Sequence, residues 1–217
     1  MKKFAIIAAM LLAAACTPRP ALRSADLIFV GIPSDYSLEE DAMSEAIGSA
    51  TNRDSLNIIH VAIADVDESG QWIIDATLKR GVDRHPLDSF ITDFTLKDGS
   101  LPQFIVMRLK DDKDAARYVR NALQYTGLKY NNSFVPCDTA KYCSELVRDS
   151  YVSPDGAHIF SEAPMNFLGP DGKMPVYWEQ LFAILGVPVP QGEPGTNPKA
   201  MMGEAVLEQV NVDITAR

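Results

Sequence analysis

Apolar and polar positions along the chain fall into a few patterned stretches. Residues 26–32 (DLIFVGI) form a continuous apolar run, the pattern of a buried strand. Ser37 and Glu40 have the spacing of a capping box, and Leu38, Ala42, Ala46 and Ile47 then share one face, predicting a helix to about Ala50. Residues 58–66 (IIHVAIADV) and 72–77 (WIIDAT) predict two strands. The turn sequence Asp67-Glu68-Ser69-Gly70 between them makes a hairpin. A short strand is expected at 82–84, a loop or short helix at 86–94, and another strand at 104–109 (FIVMRL). Asp111 or Asp112 is expected to cap a helix with Ala115, Tyr118, Val119, Ala122 and Leu123 in register, stopped by Gly127. A second helix is expected over 142–152. A short third covers 199–209, with Met201 and Met202 on an apolar face that docks on the domain or on a partner. Residues 186–198, rich in Pro and Gly, read as an irregular wrap or a mobile segment. The order is helix, several strands, then helices. That is an α+β layout rather than alternating βαβ. No repeat or linker interrupts 24–183.

The chain has 217 residues, 47% of them hydrophobic, which suits one domain with a real core and excludes wholesale disorder. With 29 acidic against 20 basic residues the formal charge is -9. Such a chain lacks the basic footprint of a nucleic-acid binder, and its charge does not favour anionic lipid. The first residues follow a different logic. Lys2 and Lys3 precede an apolar run over 4–14, then Ala15-Cys16 and Thr17-Pro18-Arg19-Pro20. These are the parts of a secretory signal, and the run is shorter than the roughly 20 residues a membrane span needs. Leu12-Ala13-Ala14-Ala15-Cys16 resembles a bacterial lipoprotein box, with Cys16 as the lipidated first residue. The Leu lies one place further from the Cys than that pattern prefers, and an ordinary secreted protein cut near Cys16 is the other reading. The expected organisation is a signal over 1–15, a tether over 16–24 and one domain over 25–217. The domain is exported and held to the membrane on the periplasmic or outer-membrane side by lipid on Cys16. Loss of Lys2 and Lys3 with the signal takes the formal charge from -9 to -11.

Few residues carry candidate chemistry. His60 interrupts an apolar strand, and Asp75 interrupts the strand expected to pair with it. A buried His needs hydrogen-bond partners, and an Asp can hold and orient an imidazole. A core His satisfied by backbone is the simpler reading of His60 alone. Cys143, in Lys141-Tyr142-Cys143-Ser144-Glu145, falls at the expected start of a helix, where free N–H groups and the helix dipole favour a thiolate. A small buried hydrophobe is the commoner fate of a free Cys. Cys, His and carboxylate together make the set needed for thiol acyl transfer. Cys137 is either a bystander or a disulfide partner of Cys143. His85 beside Pro86, and His158, read as solvated. Trp72, Tyr118 and Tyr151 read as core, and Asn166 with the stretch after Gly186 as an edge of a substrate cleft. No metal site and no cofactor is expected.

Tyr142-Cys143-Ser144-Glu145-Leu146-Val147 resembles the signature of the YiiX/YebB-like, circularly permuted branch of the NlpC-type papain-fold cysteine hydrolases. Gly127-Leu128-Lys129-Tyr130-Asn131 with Phe134 resembles the family's approach to the nucleophile. Asp26-Leu27-Ile28-Phe29 resembles its opening strand, His60-Val61-Ala62-Ile63 its His strand, and Ile73-Ile74-Asp75-Ala76 its acidic segment. His precedes Cys, the reverse of the papain order. The resemblance covers about 26–151. It implies a permuted papain-like fold, a Cys-bearing helix packed on an antiparallel sheet that bears the His. It implies Cys143 as nucleophile, His60 as base, Asp75 as the group orienting His60, and Tyr130 beside the nucleophile as an oxyanion or substrate contact. The family usually has Glu where this chain has Asp75. The implied substrates are peptide or isopeptide bonds, such as peptidoglycan-derived peptides for an exported enzyme, or acyl groups of lipids for an acyltransferase or thioesterase. A papain-like binding lipoprotein without catalysis and a thiol-redox protein are the rival classes. The spacing of Cys137 and Cys143 fits the latter poorly.

Overall fold

The computed structural model describes residues 20–34, 36, 42–51 and 56–216. The signal, Cys16 and the capping box at Ser37–Glu40 lie outside the described residues. In chain order the elements are β1 (Leu27–Pro33), α1 (Ala42–Thr51), β2 (Leu56–Asp67), β3 (Gly70–Thr77), β4 (Gly81–Pro86), α2 (Leu87–Asp93), β5 (Gln103–Leu109) and α3 (Ala115–Leu123). They are followed by β6 (Lys129–Tyr130), β7 (Ala140–Lys141), α4 (Cys143–Ser150), β8 (Ala163–Pro164), α5 (Val176–Leu185), β9 (Pro194–Gly195), α6 (Pro198–Met202) and β10 (Leu207–Gln209).

Six strands make one antiparallel sheet in the order β10-β5-β1-β2-β3-β4. Its central strands are apolar on both faces because both faces are covered. Leu27, Phe29, Val61, Ile63, Ile74 and Val82 point to a core closed by α3, α4 and α6, with Tyr118, Leu146 and Met201. Ile28, Val30, Ala62, Ala64 and Ile73 point to a second core closed by Leu87 and Phe90 of α2 and by Leu22 and Ile214. A third, aromatic cluster joins α1 and α5 to the loops, through Met43, Phe134, Tyr142, Phe167, Trp178 and Phe182.

The stretch expected as a tether is packed in its described part. Leu22 is buried, Arg108 Nη2 donates to the Ala21 carbonyl, and Ser24 Oγ exchanges hydrogen bonds with the Val66 backbone. Arg108 also grips Asp26 with two nitrogens, at 2.6 and 2.7 Å, which fixes the start of β1 against β5. The helix expected after Asp111 starts later, with Asp114 at its cap, because Asp111 instead bonds the backbone and side chain of Lys113. It ends at Leu123, before Gly127. The helix expected over 199–209 is corrected. It stops after Met202, and 207–209 is instead the edge strand β10 paired with β5. Residues 176–185, for which the sequence predicted no element, form α5, which ends at Gly186 in the left-handed conformation (φ 68).

Candidate active site

Sheet register brings three polar side chains together. The β2–β3 hairpin pairs Ile63 with Ile74, so Ala62 faces Asp75 and His60 lies on the Asp75 diagonal, on the same face. Opposite the Val30–Gly31 step of β1, β2 holds one extra residue, Ile59, so the strand is bulged beside His60. His60 Nε2 is 2.8 Å from Asp75 Oδ2, and Asp75 is 1% exposed. The imidazole lies against the Phe94 ring at 4.8 Å and near Phe90. With Nε2 committed to Asp75, Nδ1 is the nitrogen left for Cys143.

Cys143 is the first residue of α4, directly after Tyr142 at the cap. The helix begins there because Glu145 closes its first turn by accepting the Tyr142 N–H at 3.1 Å, and Glu145 is held by Asn131 and Lys141. Cys143 is buried and Cys137 half-buried; both are free, and the Cys137 thiol lies 3.7 Å from the Ala140 carbonyl. No disulfide joins them.

The electrostatics link the three groups. Burial works against a charge on His60. The Cys143 thiolate charge, hydrogen bonds to Asp75 and Cys143, and the Asp75 charge outweigh it and raise His60 from 6.5 to about 10. Burial likewise opposes ionisation of Asp75, but hydrogen bonds from His60 and His85 and their charge bring its carboxyl below the ordinary value. The Tyr130 hydroxyl is pushed well above its usual range, first by burial and then by the negative charge at Cys143. The arrangement favours an imidazolium at His60 beside a neutral phenol at Tyr130.

His85 is the main correction to the sequence reading. It is not solvated. It is 5% exposed, and its Nε2 is 3.1 Å from the second oxygen of Asp75. The β3–β4 register, Ile73 with His85 and Asp75 with Asp83, puts it on the other diagonal of Asp75. His158 is exposed and bonds the Arg148 carbonyl.

A cavity of about 270 Å³ opens beside Cys143 and Tyr130. Its walls are mainly apolar: Ile59, Phe134, Met165, Phe167 and Trp178. Phe134 holds a left-handed backbone (φ 56) so that its ring meets Tyr142, Phe167 and Trp178. The segment after β9 forms another wall. Thr196 donates its N–H to the Tyr142 hydroxyl at 3.1 Å, and its hydroxyl bonds Ser144 at 2.9 Å. Asn166 also lines the cavity. The aromatic wall was missed in the sequence, although aromatic residues in otherwise polar loops were the available signal.

Comparison with known proteins agrees with this picture. Among solved structures, metalloprotein yiiX from Escherichia coli O157:H7 (DUF1105) matches with a TM-score of 0.66 at 22% identity, covering 88% of this chain and 97% of that one. At that identity the likeness concerns the fold. In this chain the described residues contain no group of three or more His, Cys, Asp or Glu side chains able to hold a metal ion. Nε2 of His60 and of His85 and both Asp75 oxygens are taken up by one another. The described residues therefore do not fit such a centre. Among curated proteins, none matches the chain. The family model described as "Permuted papain-like amidase enzyme, YaeF/YiiX, C92 family" matches residues 24–211. The chain belongs to that permuted papain-like amidase family and is a hydrolase of the cysteine type.

Proposed function

We propose that the protein is a thiol amidase that cleaves amides with an apolar acyl group, with Cys143 as nucleophile. The thiolate attacks the acyl carbon. The imidazolium of His60 gives its proton to the departing amine nitrogen, and a thioester remains on Cys143. Water then attacks the thioester as His60 takes a proton from it. The carboxylic acid leaves, and the thiolate and imidazolium are restored. Asp75 holds the His60 ring with Nδ1 toward the sulfur. The Cys143 N–H, at the start of α4, and the Tyr130 hydroxyl are the donors for the oxyanion.

The observation that carries the substrate class is the apolar, aromatic wall of the cavity next to the nucleophile. An apolar acyl chain gains from burial there, whereas Lys199 is the one cation among the described lining residues that a charged stem peptide would meet. A peptidoglycan-derived peptide is the second reading, favoured by the export pattern over residues 1–16. In both readings lipid on Cys16 holds the enzyme at a membrane facing away from the cytoplasm. The test is hydrolysis of a series of N-acyl anilides, from acetyl upward, beside a stem peptide. Each buried methylene is worth ~0.8 kcal/mol, so kcat/KM should rise about fourfold per methylene until the cavity is full. Cys143→Ala should abolish it. Preference for acetyl or for the stem peptide would overturn the apolar reading in favour of the second.

A further inference from the structure

Asp75 has two oxygens, and each meets a different imidazole: Oδ2 meets Nε2 of His60 at 2.8 Å, and Oδ1 meets Nε2 of His85 at 3.1 Å. We propose that His85 is a positioning residue, which clamps the Asp75 carboxylate from the side opposite His60 and so sustains the Cys143–His60 ion pair. The inference rests on the reading of Cys143 and His60 given above.

Three observations support it. First, the clamp is built into the sheet. β3 carries Asp75 between β2 and β4, and the two registers put one His on each diagonal, on the same face. The carboxylate cannot turn away from His60 without breaking its bond to His85. Second, the cluster is buried. All three side chains are buried, and Phe90 lies near both imidazoles, with ring centroids 6.2 Å from His60 and 6.4 Å from His85. A polar group left unpaired in such a low-dielectric site is costly. Third, Nδ1 of His85 is buried with no hydrogen-bond partner. An ionised Asp75 only accepts, so the tautomer that satisfies it carries its proton on Nε2. The bare Nδ1 then needs no partner of its own. His85 is thereby held as a fixed donor.

The other charges around Asp75 do not replace this donor. From β2 it faces His60, and from β4 it faces His85 and, directly opposite, the carboxylate of Asp83. Arg80, in the β3–β4 turn, feels both Asp75 and Asp83 but is bound by its side chain to Asp93 at the end of α2. From α2 and its end the imidazoles meet the uncharged rings of Phe90 and Phe94.

The test is the rate of Cys143 alkylation by iodoacetamide against pH, on the full mature chain and on His60→Ala, His85→Met and His85→Gln. NMR titration of the His60 ring is recorded alongside. Met removes the donor at similar volume, whereas Gln keeps an N–H. In His85→Met, the alkylation rate at pH 6 should fall about tenfold, the worth of one hydrogen bond to a charged group. The acid limb should move to higher pH and the His60 titration to lower pH. His85→Gln should recover most of each. If His85→Met folds poorly, His85→Leu provides the donor-free comparison. A rate and His60 titration like those of the native chain in the donor-free variant would overturn the inference. So would equal defects in Met and Gln with the His60 titration unmoved, since a packing role alone predicts that. Failure of the underlying reading looks different: His60→Ala itself would then leave the alkylation rate unchanged.

Discussion

Replacing Cys143 with Ala isolates what the charge at that sulfur does to its neighbour. Burial alone lowers the pKa of an imidazole, yet His60 is raised from 6.5 to about 10, and the charge at Cys143 is the largest of the raising influences. That distance corresponds to roughly 5 kcal/mol of preference for imidazolium, shared between Cys143 and Asp75. Without the thiolate, Asp75 must oppose the burial cost with little help. His60 should then titrate at least about one pH unit lower, ~1.4 kcal/mol. The assay is the pH dependence of the His60 ring resonances. A stability profile gives a second readout, and its sign follows from the direction of the shift. The unfolded chain releases the His60 proton near 6.5, whereas the folded chain keeps it to about 10. The stability this His contributes is complete below 6.5 and is lost as pH climbs to 10. The window should narrow from its alkaline end in Cys143→Ala. Titration of His60 at or below 6.5 in the native chain, or an unchanged titration in the variant, would refute the reasoning.

Other expectations concern the frame around the site. Arg108→Met leaves the buried Asp26 carboxylate without its two-pronged partner and should cost about 3–5 kcal/mol, a fall in Tm of roughly 6–20 °C. The double variant Asp26→Leu/Arg108→Met should regain most of that in thermal unfolding. Gly81→Ala should destabilise far more than Gly99→Ala. Both glycines have φ in the left-handed region, but only at Gly81 would a Cβ overlap the Leu128 carbonyl oxygen, while Gly99 has open space. Tyr151→Phe should cost ~1 kcal/mol in urea unfolding, because it deletes the buried hydrogen bond to the Ala25 carbonyl while keeping the ring stacked on Tyr118.

Much of the sheet was legible in the sequence. β1, β2, β3 and β5 are continuous apolar runs because both faces of the sheet are covered, and the 67–70 turn announces the hairpin that carries His60 and Asp75. Misplaced polarity in those runs pointed to both residues. His85 was not found because β4 is short and polar, so its surroundings in the sequence suggested solvent. Reading β3 and β4 as a second hairpin about the Leu78-Lys79-Arg80 turn would have placed His85 beside Asp75. α5 was missed for another reason. Its sequence is apolar nearly all round, and it buries Trp178 and Phe182 while leaving Val176 and Ile184 exposed, so no amphipathic stripe marks it. The stretch at 199–209 read as a helix because its composition allowed one. Gly203 and the unpaired edge of β5 ended the helix after Met202 and drew 207–209 into the sheet instead.

The central claim is that Cys143 and His60 act as one ion pair. The rate of Cys143 alkylation against pH, followed by mass spectrometry on the full chain and on His60→Ala, tests it most directly. The account predicts a fast rate that persists below pH 7 and falls in the variant. A slow rate that rises only near ~8.5, the value of an ordinary thiol, and is the same in both proteins would contradict it.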